Sequence, residues 1–266
     1  GVYWIDTIDE INSLIEFNNV THGAKRHIPS ITAKVEKDLV YPLLRGKDVR
    51  KWNAKPIISI IIPQDLQKRH NGMSESIMNS NYPLTYDYLC QFKTELSSRR
   101  TFQKFLKPNN LPFYSLYDIK NYTFSAYKVV WKEISTKIEG AVVHKKDSRV
   151  IIPDHKLVFV EFNDDSESHF FCALINSTPF NFFALSSSVT TQHAPKVLRE
   201  IMVPQFDPSD STHQDLSRLS KESHRKTAAG IDVIDLEEQI DELTAEIWEL
   251  TMEELKNIKD SSAELR

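Results

Sequence analysis

The chain has 266 residues, 40% hydrophobic and 10% aromatic, with 33 Lys and Arg against 37 Asp and Glu and a net charge of -4. This composition sustains one large or two small cores and excludes wholesale disorder. The longest apolar runs stop far short of the ~20 residues that a membrane helix needs.

Thr7 and Glu10 stand at capping-box spacing, and Ile8, Ile11, Leu14 and Ile15 recur at helical intervals. Thr7 to Phe17 therefore reads as a short amphipathic helix within an N-terminal linking strand/helix segment, residues 1–20. Leu39 to Leu44 leads into a turn at Gly46, and the β-branched run Ile57 to Ile62, stopped by Pro63, reads as a buried strand. A polar loop follows from Gln64 to Asn81. Tyr82 to Lys107 has a helical pattern with Arg99, Arg100, Lys104 and Lys107 interspersed along one exposed side. Phe124 to Trp131, Ala141 to His144, Val150 to Ile152 and Leu157 to Phe162 read as strands of a small sheet. Ser168 to Leu185 reads as helix, with Pro179 marking a second helical start. Residues 186–193 are a polar loop before Val197 to Val203. A helix at roughly 212–229 ends at Gly230, and Ile231 to Ile258 is a final amphipathic helical region.

Charge is uneven along the chain. Residues 25–156 hold 24 Lys and Arg against 12 Asp and Glu, whereas Ile231 to Asp260 holds 11 acidic residues and two lysines. A basic stretch interleaved with aromatics suits a phosphate backbone; the alternative is a solvated surface whose lysines face several directions. The six glycines are too scattered to form GxG, GxGxxG or a P-loop, and there is no HExxH, GxSxG or Asp/Asn/Ser-Pro-Pro-aromatic tetrapeptide. No catalytic residue is assigned. Two cysteines, Cys90 and Cys172, without CxxC spacing, fit a reducing, cytoplasmic setting. Gly-Val-Tyr-Trp-Ile-Asp at the start has no export signal and reads like a cut within a longer chain.

Six segments in order, VYPLLRGKDVRKW (40–52), YPLTYDYLCQFKTELSSR (82–99), PFYSLYDIKNYTFSAYKVVWKEI (112–134), FFCALINSTPFNFF (170–183), VLREIMVPQF (197–206) and IDELTAEIWELTMEELKNI (240–258), together resemble a known region. It is the C-terminal target-recognition region of adenine-N6 DNA methyltransferases, including type IIG restriction-modification enzymes and phage-defence methylases. The ALINS stretch and the Leu-x-x-Ile-x-Val-Pro stretch are also similar to specificity subunits of type I restriction systems. The family's methyltransferase core and its Asn-Pro-Pro-Tyr loop have no counterpart in this sequence. The resemblance implies an α+β (mixed α/β) recognition domain with a small mixed sheet, flanking helices and a C-terminal amphipathic helix. It implies a basic recognition region at 21–165, a second helical and strand part at 166–230 and an acidic helical region at 231–266. It implies double-stranded DNA and the methyltransferase core of the same parent chain as partners, no membrane, no cofactor in this chain, and S-adenosylmethionine bound by the core.

Candidate DNA contacts follow. Arg45, Lys47, Arg50 and Lys51 flank Gly46 and Trp52, a basic turn beside an aromatic; the alternative is a turn whose Asp48 pairs with one of those cations. Arg99, Arg100 and Lys104 lie on a helix, where the alternative is a solvated face. Lys145, Lys146 and Arg149 surround a hairpin turn next to His144, although surface hairpins are often basic for solubility alone. Gln192, His193 and Lys196 lie in the polar loop, where Gln and Lys suit base edges in the major groove, while such loops also merely connect elements. His22, His27, His155, His169, His213 and His224 show no metal-like spacing and read as surface residues; Asp164, Asp165 and Glu167 read as a solvated acidic turn. No metal ligand is assigned. The rival readings are a protein-interaction module of a restriction or defence complex and an enzyme with an unfamiliar site.

Overall fold

A computed structural model of the chain describes residues 1–23, 27–65, 67–145, 148–186 and 201–264. The fold is α+β. It divides into two compact units: residues 1–43, 56–124 and 146–152 form unit 1, and residues 44–55, 125–145 and 153–266 form unit 2. The units interleave along the chain, where the sequence reads as consecutive segments. They also split the basic block: by sequence count unit 1 carries only +2 and unit 2 carries -6.

The antiparallel strands β1 (Trp4–Ile11), β2 (Leu14–Asn19), β3 (Thr32–Glu36), β4 (Val40–Leu44) and β7 (Ile58–Ile61) build most of a six-stranded sheet. The order is β10-β4-β7-β1-β2-β3, with β10 (Ile152–Pro153) at one edge. In β7, Ile58 and Ile60 join one apolar cluster and Ile61 joins another, as period-2 alternation dictates. Apolar cover on both faces explains why this strand reads as a continuous run. Against the β1–β3 end pack α1 (Glu75–Asn81), α2 (Pro83–Cys90) and α3 (Lys93–Ser97), with Phe17 edge-on to Tyr88 at 5.0 Å. Buried tyrosines find acceptors: Tyr88 Oη donates to Val2 O at 2.7 Å and Tyr114 Oη to Met73 O at 2.6 Å.

Four expectations fail in unit 1, and one concerns Val150 to Ile152, expected in the small sheet, whose strand β10 instead edges the six-stranded one. The helix expected over Thr7 to Phe17 is the β1–β2 hairpin, turned by Asn12 at φ 57. Ile15 and Phe17 alternate into the core, while Ile8 and Ile11, which gave the helical spacing, are 55% and 52% exposed. The loop expected over Gln64 to Asn81 holds α1, whose N-cap Ser74 accepts from Ile77 N. The single helix expected over Tyr82 to Lys107 is broken twice, into α2, α3 and a π-helical turn at Phe102–Leu106.

Unit 2 contains the antiparallel sheet β11-β8-β9, from β8 (Tyr127–Lys132), β9 (Ala141–Val143) and β11 (Leu157–Phe162), and the short pair β5 (Val49–Arg50) and β6 (Asn53–Ala54). Its central helix is α4 (Asp165–Asn176), buried along most of its length, followed by α5 (Thr178–Ser186), α6 (Ser211–Ala228), α7 (Ile234–Ile247) and α8 (Met252–Glu264). Pro179 starts the second helix as expected. The final helical region breaks at Glu249, which has φ 53, and restarts with a capping box in which Thr251 and Glu254 bond each other's backbone N–H.

Where unit 2 runs irregularly, amide side chains replace strand neighbours. Asn176 Oδ1 accepts from Gly140 N at 2.8 Å and its Nδ2 donates to Gly140 O at 2.9 Å. Two residues away, Asn181 Oδ1 accepts from Ile138 N at 2.8 Å and its Nδ2 donates to Ile138 O at 3.2 Å. The asparagine of the ALINS stretch thus satisfies the buried Gly140 N–H and shares the Gly140 carbonyl with the Trp52 N–H, which donates to it at 3.1 Å. Gln64 does the same for Leu116 in unit 1, accepting from its N–H at 3.0 Å and donating to its carbonyl at 3.4 Å.

β8 also buries a cation. Lys128 is 1% exposed, pairs across the sheet with Glu161 and donates to Ser125 O at 2.6 Å. Burial pulls its ammonium down to about 8 from the ordinary 10.5. The folded state then binds fewer protons than the unfolded chain between those values, so this group's contribution to stability rises as pH climbs from 8 towards 10.5. At neutral pH the buried charge costs roughly 3 kcal/mol. Lys128→Met is expected to be more stable than the parent at pH 7 by about 1–3 kcal/mol, with the advantage shrinking towards pH 10. Paired urea titrations at both pH values check it; an equal difference at both would contradict the linkage.

Candidate nucleic-acid interface and a histidine cluster

The basic turn at 45–52 lies in unit 2 and sorts its cations by partner. Arg45 Nε is 2.8 Å from Asp48 Oδ2 and its Nη2 is 3.2 Å from Oδ1, with the two side chains only 13% and 1% exposed. The same carboxylate accepts from the Arg45 N–H and closes the turn at Gly46–Asp48. Lys51 Nζ lies 2.8 Å from Glu237 Oε1, an oxygen that also accepts from Trp52 Nε1 at 2.7 Å. Trp52 is 2% exposed, edge-on to His224 at 5.5 Å, and holds φ 60, a left-handed geometry unfavourable for a bulky residue and maintained by its packing. The expectation that Trp52 contacts DNA is therefore corrected: its ring is core. Arg45 and Lys51 are committed to ion pairs, while Lys47 and Arg50 are exposed with no carboxylate partner among the described residues.

In unit 1, Arg99 is likewise turned inward. Its guanidinium donates to Leu96 O at 2.8 Å, Phe113 O at 2.7 Å and Ser115 O at 3.0 Å, and lies over the Tyr3 ring. It serves as a clamp between backbone segments rather than as part of an outward basic face. The next residues do face out. Phe102 and Leu106 are buried, and Arg100, Lys104 and Lys107, spaced four and three apart, are exposed without a carboxylate partner among the described residues. Lys104 Nζ sits 4.9 Å above the Phe105 ring, and Phe105 stacks on Tyr117 with centroids 4.9 Å apart. Both aromatics are exposed, at 41% and 51%. The sequence places Phe105 in the helical pattern and Lys107 on its exposed side, and gives no sign of Tyr117. The available signal was that Phe105 falls off the Phe102/Leu106 stripe.

Lys145, two residues beyond β9, is exposed. Arg149 donates to Val40 O at 3.1 Å and is partly buried, which lowers its guanidinium from the ordinary value. Lys146, Gln192, His193 and Lys196 lie outside the described residues.

The histidines depart from expectation. His169 and His213 are buried rather than surface residues, and unit 2 gathers His144, Asp165 and His169 so that one ligand atom from each lies within 4.8 Å of the others. Asp165 opens α4 and His169 follows one turn later, so helix geometry puts both on one face. Asp165 Oδ1 is 3.4 Å from His144 Nδ1 and 3.8 Å from His169 Nε2, and its Oδ2 is 2.7 Å from Lys221 Nζ. His169 Nδ1 lies 2.9 Å from Ser220 Oγ. Burial, and then the neighbouring His224, push the His169 imidazole down to about 3, so it is neutral at physiological pH. His224 is fully engaged: its Nδ1 donates to Ser220 O at 2.7 Å and its Nε2 accepts from Val142 N at 2.9 Å.

Neither a family model nor a curated protein sequence matches the chain. Among the described residues, no helix is long and apolar enough to cross a membrane.

Proposed function

We propose that the chain recognises double-stranded DNA in a sequence-specific manner, as the target-recognition region of an adenine-N6 methyltransferase from a bacterial or archaeal restriction-modification or phage-defence system. The sequence resemblance suggests this reading. The structural observation that carries it is the outward segment at 100–107: three exposed cations with no ion-pair partner among the described residues, beside an exposed aromatic stack. Free cations exchange condensed counterions for phosphate contact at no cost in broken ion pairs, whereas Arg45 and Lys51 would first have to leave their carboxylates. Lys47, Arg50 and Lys145 offer further positions of the same kind. In this reading lysines and arginines fix the position on the duplex and loop side chains read base edges. Methyl transfer and S-adenosylmethionine belong to the core of the parent chain, in the cytoplasm.

Replacing Arg100 and Lys104 together by alanine should weaken binding to all duplexes alike and flatten the dependence of log K on log salt by about 2. Competitive binding to a random duplex library, sequenced before and after selection, checks both halves of the proposal. The parent should enrich a short consensus, and the variant should enrich the same consensus with lower overall retention. Unchanged retention in the variant would remove this segment from the interface, and a parent that enriches nothing would remove sequence recognition.

A further inference from the structure

We propose that His144, Asp165 and His169 bind one divalent transition-metal ion of the zinc type, a site independent of the DNA-binding reading. Three features of the cluster support it. The first is spacing: ligands about 2.0–2.2 Å from a tetrahedral ion stand about 3.3–3.6 Å apart. Asp165 Oδ1 is already 3.4 Å and 3.8 Å from the two imidazole nitrogens. Small side-chain rotations bring all three onto one ion.

The second is orientation by neighbours. The Nδ1 of His169 faces Ser220 Oγ, so with a proton on that nitrogen the Nε2 lone pair is directed at the cluster. The Lys221 ammonium holds Asp165 Oδ2, which leaves Oδ1 towards both histidines. His224, although its ring lies 5.0 Å from that of His169, has both nitrogens committed to backbone groups and is no ligand. The third is donor chemistry and access. Two imidazoles and one carboxylate favour zinc-like ions over calcium or magnesium, which prefer all-oxygen shells. His144 is exposed and opens the site to solvent, giving the ion an entry path and leaving its fourth position for water.

The test is titration of the chelator-treated chain with Zn2+ by calorimetry and with Co2+ by visible absorption. The parent should bind one equivalent of Zn2+, give Co2+ d–d bands of a low-coordinate nitrogen and oxygen site, and melt at higher temperature with Zn2+ than without. His144→Ala changes an exposed residue and should fold normally, yet bind at least about tenfold more weakly and lose the thermal shift. His155→Ala, an exposed histidine outside the cluster, should bind as the parent does. Absence of one-equivalent binding in the parent, or parent-like affinity in His144→Ala, would overturn the assignment.

Discussion

Asn176→Ala is expected to lower the unfolding free energy by about 1–3 kcal/mol, one of the largest effects of any single polar replacement in the chain. Asn176 is 3% exposed, and its amide bonds both the N–H and the carbonyl of Gly140. Truncation strands the Gly140 N–H, whereas the Gly140 carbonyl keeps the Trp52 N–H at 3.1 Å, and a buried donor without a partner costs about 1–3 kcal/mol. Water cannot readily step in, because Ile175 packs so closely on Gly140 that a Cβ there would meet its side chain. Asn176→Asp should recover only part of the loss, since it keeps an acceptor for the Gly140 N–H but brings a buried charge and no donor. Urea unfolding, read as a lower midpoint at constant slope, checks the effect; a shift below 1 kcal/mol would mean that Gly140 is satisfied some other way.

Gly72→Ala is the second. A Cβ at Gly72 would overlap Ser115 Oγ and stand 2.9 Å from its Cβ and 3.1 Å from its Cα. The last of these is backbone and cannot swing aside, and Gln64 holds the adjacent Leu116 by both of its peptide groups. Overpacking of this kind costs about 1–3 kcal/mol. Ser115 Oγ is buried and has no hydrogen-bond partner among the described residues, so Ser115→Ala alone should be neutral or stabilising. Adding Ser115→Ala to Gly72→Ala removes the hydroxyl overlap but not the two closest carbons, and should restore stability in part. The double-mutant cycle measures that coupling; strict additivity would show that the two residues do not meet.

Both predictions rest on features that the linear sequence hides. Ile57 to Ile62 and Leu157 to Phe162 were legible as strands because their β-branched runs end in clear breakers, and Pro179 marked a helix start for the same local reason. The N-terminal hairpin was not, because Ile8, Ile11, Leu14 and Ile15 fit a 3.6-residue period while the chain buries Ile15 and Phe17 on a period of two. The break before Met252 carried a readable sign, Thr251 three residues ahead of Glu254, within a region whose apolar spacing is continuous. Long-range polar bonds left no such sign. Asn176, Asn181 and Gln64 look like ordinary polar residues until Gly140, Ile138 and Leu116 arrive beside them.

The candidate site divides along the same line. A charge count treats Arg45, Arg99 and Lys47 alike, whereas the fold pairs the first with Asp48, turns the second onto carbonyls and leaves the third exposed. Exposed Arg100 and Lys104 agree with the basic side read from the sequence, while Arg99 between them and α3 does not. His144 lies 25 residues from His169, just past the end of β9, so only the Asp165/His169 spacing within α4 hinted at the histidine cluster.

The proposed grip on duplex DNA through exposed cations is read by an anisotropy titration of a labelled duplex across salt concentrations. The three exposed cations of unit 1 without a carboxylate partner among the described residues, Arg100, Lys104 and Lys107, imply a slope of log K on log salt near roughly -3. Affinity should therefore fall roughly fortyfold between about 50 and 200 mM salt. Absence of binding at the lower salt, or affinity that does not change across the range, would rule out this mode of DNA binding.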